Sequence, residues 1–169
     1  MYTGVWTNTC CSHPLIGQHP DEVDVEDAVE DGSVPGVKAA AVRKLHHELG
    51  IRPEQLPPGS FKYLTRLHYC AADTDTHGPQ SPWGEHEIDY ILLAQADVDL
   101  HPNPEEVAAV KHVSLPELQQ MMDPASGLKW SPWFRIIAHH FLPLWWADLP
   151  QTLNTNVHVD TRTIHRLTC

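Results

Sequence analysis

Basic residues are scarce in this chain. Its 169 residues hold 11 Lys plus Arg against 22 Asp plus Glu, a formal net charge of −11, which disfavours non-specific binding to nucleic acid or to an anionic membrane. An anionic substrate would therefore need a bound metal or a local basic patch. Also lacking is any apolar run near the ~20 residues that span a bilayer; the longest candidate, residues 141–146, is short and contains Pro143. The paired CxxC spacing of a structural zinc site is missing too. The four cysteines are Cys10, Cys11, Cys70 and Cys169, and the adjacency of the first two suits no mutual disulfide. The thiols read as reduced, which points to an intracellular compartment, cytoplasm or plastid. No internal repeat is found, and the closing Leu167-Thr168-Cys169 lacks the CaaX arrangement. Met1 and Tyr2 lead straight into Gly4-Val5-Trp6, which reads as ordered chain rather than a signal sequence.

What is present is an ordinary globular composition. With 41% hydrophobic residues, a chain of this length can bury one core, so residues 1–169 are expected to form a single domain with a polar tail over 150–169. Residues 18–34 are acidic and turn-rich and read as a solvated loop. Ser33 and Pro35 mark a helix start and Gly50 its stop. Between them Val37, Ala41, Leu45 and Leu49 form an apolar stripe, while Lys44 stands one turn from Glu48 on another face. Residues 61–71 alternate as a strand, with Phe61, Tyr63, Thr65, Leu67 and Tyr69 on one side, and residues 86–96 give a second strand. Residues 108–113 are expected to add a short third. Ser114 and Glu117 form a capping-box pattern, and Ser131 with Pro132 opens a further helix on which Phe134, Ile137, Phe141 and Trp145 recur at helical spacing. Strands interleaved with helices predict an α/β or α+β layered fold.

Reactive groups are concentrated at two places. In Thr7-Asn8-Thr9-Cys10-Cys11-Ser12-His13-Pro14, an extended reading turns the side chains of Cys11 and His13 the same way, a thiol beside a metal-ligating imidazole. In isolation packing is the better explanation of each. In Glu85-His86-Glu87 the two carboxylates share one face of a strand, about 7 Å apart at Cα. Carboxylates that close repel unless a cation lies between them or one holds a proton. Together with His13 they make a mixed nitrogen and oxygen set for a divalent metal, on which a carboxyl could carry a proton.

The motifs at 7–14, Leu45-His46-His47-Glu48-Leu49-Gly50, 63–69, Trp83-Gly84-Glu85-His86-Glu87-Ile88-Asp89-Tyr90, 131–134 and Trp145-Trp146 resemble, in this order, the type 1 isopentenyl-diphosphate delta-isomerases of the Nudix superfamily. The likeness runs from about Tyr2 to near Leu167. It implies a Nudix-like mixed β-sheet flanked by helices. It also implies an intramolecular isomerase of isoprenoid biosynthesis that interconverts isopentenyl and dimethylallyl diphosphate by protonating and deprotonating the alkene. By this resemblance Glu87 and Cys11 act from opposite faces, Tyr69 assists proton delivery, and Trp133 walls the cationic intermediate. His13, Glu85 and Glu87 match the metal ligands, and Glu48 matches a carboxylate near the magnesium that accompanies the diphosphate. Ser12, Arg43 and Lys44 match substrate-binding positions. The implied cofactor is Mg2+, with Zn2+ or Mn2+ as a second metal at the His/Glu site, and the implied partner is a small prenyl diphosphate; the chain itself reads as a monomer, with association through exposed sheet edges as the alternative.

Two departures from the family pattern stand out. The Nudix hydrolase helix carries three glutamates for metal-assisted attack by water, and here Lys44 and His47 replace two of them within Arg43 to Ile51, which disfavours a diphosphate hydrolase. Family members also carry a segment before the Thr-Asn-Thr-Cys-Cys motif with two more metal-binding histidines, an Arg and a Lys for the diphosphate, and sheet strands. That segment is expected to be absent here, leaving three of five ligands for the catalytic metal and, as the alternative function, a non-catalytic relative that keeps the fold.

Overall fold

The structure is a computed structural model and describes residues 4–168; the expectations for Met1, Tyr2 and Cys169 lie outside these residues. In chain order the elements are α1 (Glu26–Glu30), α2 (Pro35–Leu49), β1 (Lys62–Ala72), α3 (Thr74–His77), β2 (Gly84–Leu93), α4 (Leu115–Met122), α5 (Pro132–His140), α6 (Leu142–Ala147), α7 (Leu149–Asn154) and β3 (Ile164–Thr168). The three strands form one mixed sheet in the order β2-β1-β3. β1 runs antiparallel to β2, with Tyr69 opposite Glu87 and Ala71 opposite Glu85, and parallel to β3.

Alternation along β1 explains its central position. Phe61, Tyr63, Thr65, Leu67 and Tyr69 are all buried, as the period of two requires, and a register shift between Tyr63 and Thr65 lets Leu64 be buried as well. Leu64, Leu67 and Tyr69 pack with Leu118 of α4, Phe134 and Ile137 of α5, and Trp145 of α6. A second cluster joins Leu45 and Leu49 of α2 to Ile51, Leu56 and Phe61, with Cys10 and Leu92 against it. The apolar stripe of α2 is therefore buried in its C-terminal half; Val37 and Ala41 are half-buried, and Ala39 and Ala40 take the inner positions near its start.

Several local expectations are corrected. Residues 108–113 form no strand, and the third strand of the sheet comes from the C-terminal region expected to be a tail. Residues 150–168 are not a loose appendage: they hold most of α7 and all of β3, which pairs with β1, and the Asp160 amide donates to the Leu64 carbonyl at 2.7 Å. The helix after Ser131 breaks at Phe141, ahead of Pro143, into α5 and α6.

The acidic stretch 18–34 is more than a solvated loop. It contains α1, and its Asp24 caps α2 from a distance by accepting hydrogen bonds from the Gly36 and Val37 amides at 2.7 and 3.0 Å. The residue before Pro35, Val34, is buried in the left-handed region at φ 36°, so Ser33 does not cap the helix. Gly50 closes α2 as expected, at φ 65°, and a Cβ there would stand 2.6 Å from the His101 carbonyl oxygen. Ser114 and Glu117 make the capping box at the start of α4.

Candidate active site

Three parts of the chain meet over one face of β1 and β2. The strands supply Tyr69, Glu85, Glu87 and Asp89, the 7–14 segment supplies Cys11 and His13, and the start of α5 supplies Trp133. The 7–14 segment is fixed at its beginning by backbone bonds. Trp6 donates to the Lys129 carbonyl at 2.8 Å and accepts from the Ser131 amide at 2.9 Å. Side chains continue the seam: the Thr7 and Ser131 hydroxyls are 2.8 Å apart, and the Trp133 indole N–H donates to Asn8 Oδ1 at 2.8 Å. Ser131, read as a helix cap, makes no side-chain cap bond, its hydroxyl bonding to Thr7 instead.

Beyond Asn8 the side chains diverge. Cys10 packs toward α2. Cys11 lies within reach of carboxylate charge; burial first, then the charges of Asp89, Glu87, Glu85 and Glu48, push its thiol up to about 12. His13 remains 79% exposed, with Nε2 3.1 Å from Glu87 Oε1.

The Tyr69 hydroxyl is the pivot of the carboxylates. It donates toward Glu85 Oε2 at 2.7 Å and lies 3.3 Å from Glu87 Oε2. Burial, the bond to Glu85 and the surrounding negative charge push its pKa well up, so it stays a donor. Asp89, next on the same strand face, is raised to about 7 by burial and by Glu87 and Glu85, with His13 opposing. Sequence reasoning assigned Asp89 no role, although the strand period that paired Glu85 with Glu87 also aligns it with them. The Trp133 and Tyr69 rings stand 6.4 Å apart at 48°.

Among the described residues no three His, Cys, Asp or Glu side chains are already gathered as a metal cluster. His13 and Glu87 contact each other directly, and Tyr69 bridges the carboxylates. The chemistry of the set nonetheless fits a hard divalent cation. Imidazole and carboxylate are suitable donors, and such an ion would offset the adjoining negative charge of Glu85 and Glu87.

The basic residues are committed elsewhere. Arg43 grips Glu22, which is 3% exposed, through Nε at 2.6 Å and Nη2 at 2.9 Å. Glu22 also accepts from the Leu15 amide at 2.8 Å, and Arg43 Nη2 donates to the His13 carbonyl at 3.1 Å and lies 3.5 Å from Ser12 Oγ. Ser12 Oγ is also 3.5 Å from the Ala40 carbonyl. Lys44 Nζ is 3.1 Å from Glu48 Oε1 and 3.4 Å from Glu106 Oε2. Burial works against its charge, but these bonds hold its pKa above the ordinary value. Nothing in the local pattern around Glu22 distinguished it from the other acids of residues 18–34.

Residues 19–134 match the NUDIX domain family. The chain is 46% identical over 149 residues to an isopentenyl-diphosphate delta-isomerase of Schizosaccharomyces pombe, a match covering 88% of this chain and 59% of that protein. It is 44% identical over 168 residues to Isopentenyl-diphosphate Delta-isomerase 1 of Bos taurus, covering 98% and 66%. With the chloroplastic Isopentenyl-diphosphate Delta-isomerase II of Arabidopsis thaliana it shares 41% identity over 167 residues, 96% of this chain and 54% of that one. The chain thus spans between about half and two thirds of the length of these relatives. No helix among the described residues is long and apolar enough to cross a membrane.

Proposed function

Since the chain belongs to the NUDIX domain family, we propose that it interconverts isopentenyl diphosphate and dimethylallyl diphosphate, as the names of its relatives suggest, by moving protons rather than by hydrolysis. The observation that carries this reading is the Tyr69 hydroxyl between Glu85 and Glu87, with His13 on Glu87 and the Trp133 ring beside it. Shifting the double bond requires a proton to arrive at the terminal alkene carbon and another to leave the carbon on the far side. Glu87 serves one of these transfers and Cys11 the other, and the roles exchange when the reaction runs backwards.

The environment suits these roles. A thiol raised to about 12 rests protonated at neutral pH, so Cys11 holds a proton and is a poor nucleophile toward the carbocation. Tyr69 keeps its own proton and, hydrogen-bonded to the carboxylates, orients Glu87 as the carboxylate that takes up the leaving proton while Cys11 supplies the arriving one. The face of Trp133 favours adjacent positive charge by about 0.5–2 kcal/mol and keeps water from the carbocation. His13, Glu85 and Glu87 would hold a divalent metal and Glu48 the Mg2+ of the diphosphate. Bound there, the ions would neutralise the carboxylates and the substrate's phosphates. Ser12 binds substrate, whereas Arg43 acts on it through the loop it holds and Lys44 would have to exchange Glu48 or Glu106 for a phosphate.

The pairing of Lys44 with Glu48 also argues against the hydrolase alternative, because it sets an ammonium where a hydrolase needs another carboxylate. The test is incubation of the chain with Mg2+ and isopentenyl diphosphate in deuterium oxide, followed by NMR. Deuterated dimethylallyl diphosphate is the expected product. Release of inorganic phosphate or diphosphate, or recovery of unlabelled substrate alone, would count against the reading.

A further inference from the structure

One side chain to which the proposed chemistry gives no role joins two that it uses. Asn8 Oδ1 accepts from the Trp133 indole N–H at 2.8 Å and from the Thr7 hydroxyl at 2.9 Å, and its Nδ2 donates to the Cys10 carbonyl. These partners fix which way the amide faces, because an indole N–H can only donate and a carbonyl can only accept. Thr7 gives its single proton to Asn8, so the buried Ser131 hydroxyl, 2.8 Å away, donates to Thr7. A directed chain of bonds thus runs from the residue before α5 through Thr7 to Asn8, and it fills both lone-pair positions of the amide oxygen together with the indole.

Each end of this amide holds a group that could otherwise turn. An indole swings about two side-chain torsions; a bond at Nε1 pins one edge of the Trp133 ring, whose centroid lies 6.4 Å from that of Tyr69. The Cys10 carbonyl belongs to the planar peptide that ends at the Cys11 Cα, so holding its oxygen sets the plane from which the Cys11 side chain departs. We infer that Asn8 is a positioning residue that couples the Trp133 wall to the Cys11 thiol, so that the ring and the proton donor meet the same carbon skeleton in one fixed arrangement. This inference rests on the proposed isomerisation.

The coupling matters because the cation has two fates. Protonating the alkene sends its π electron pair into the new C–H bond and leaves a tertiary cation. Loss of a neighbouring proton then gives dimethylallyl diphosphate. If water reaches the cation instead, its oxygen bonds to the tertiary carbon and releases a proton, so the net change is addition of water to isopentenyl diphosphate to form a tertiary alcohol. Keeping the ring in place while the thiol delivers its proton suppresses that second path.

The test has one arm that needs no activity. The chain has six tryptophans, and in a proton–nitrogen correlation spectrum the indole signal missing from W133F belongs to Trp133. In N8A this signal should move upfield and exchange with solvent faster, whereas N8D, which keeps an accepting oxygen but cannot donate to Cys10, should leave it near its wild-type position. In the second arm, N8A and N8D are given Mg2+ and isopentenyl diphosphate. Loss of site-ordering hydrogen bonds should lower kcat about tenfold in N8A, with KM little changed and the tertiary alcohol appearing beside dimethylallyl diphosphate. N8D should also lose kcat, through the Cys11 end alone. Circular dichroism verifies that both variants fold. A Trp133 signal unmoved in N8A, or an N8A kcat equal to wild type, would overturn the inference. An inactive wild type whose Trp133 signal still moves in N8A would overturn the isomerase reading and support the tether.

Discussion

Arg43 and Glu22 form a two-point ion pair, with both carboxylate oxygens of Glu22 engaged at 2.6 and 2.9 Å, and through it helix α2 holds the loop that carries His13. Gly36 makes this approach feasible, since a Cβ there would lie 2.6 Å from the Glu22 carbonyl carbon. Hydrogen bonds from Arg43, opposed by burial, keep the Glu22 carboxyl below its ordinary value of 4.5.

The first prediction concerns this pair. Glu22→Ala leaves the Arg43 guanidinium and the Leu15 amide without their acceptor, and it should cost about 3 kcal/mol of stability in denaturant titrations. A depressed carboxyl contributes stability that is fully present above its unfolded value and is lost as pH falls through the folded one. The wild type should therefore lose stability in acid below pH ~4.5 more steeply than Glu22→Gln, measured by urea midpoints across that range.

Tyr69→Phe removes the hydroxyl between Glu85 and Glu87 and leaves the packing intact. Because the carboxylates then face each other with one donor fewer, a loss of about 1 kcal/mol is expected at neutral pH, together with slower isomerisation. Added divalent cation should restore stability more in this variant than in wild type. Equal responses would speak against the hydroxyl as the bridging donor.

Thiol reactivity should follow burial rather than sequence order. Cys10 and Cys11 are both raised to about 12, chiefly by burial, whereas Cys70 is exposed. Brief alkylation at pH 7 followed by peptide mass spectrometry should label Cys70 well before either of the adjacent pair.

Gly50→Ala tests the end of α2. The positive φ and the 2.6 Å approach of the His101 carbonyl oxygen should make this single methyl group cost about 1–3 kcal/mol. A thermal melt indistinguishable from wild type would contradict the close packing of this turn.

Much of this site was legible in one dimension because short-range geometry is periodic. The strand period alone set Glu85 beside Glu87 and turned His86 away, and the extended reading of residues 10–13 separated Cys10 from Cys11. The capping box at Ser114 and the stop at Gly50 were readable for the same reason: each is satisfied by atoms a few residues away. The same period aligns Asp89 with the two glutamates, but the burial that raises its carboxyl comes from other parts of the chain.

Tertiary structure decided what depends on distant partners. Glu22 and Asp24 sit in one acidic run, and only the approach of α2 turns the first into a buried counter-ion and the second into a helix cap. The parallel pairing of β3 with β1 joins residues nearly a hundred positions apart, and no local pattern encodes it. His13 reaches Glu87 for a similar reason, since Trp6, Thr7 and Asn8 are tied to the start of α5. Residue type and spacing thus determined which groups could do chemistry and which way they face, while the burial and charge that tune them arose from packing remote segments together.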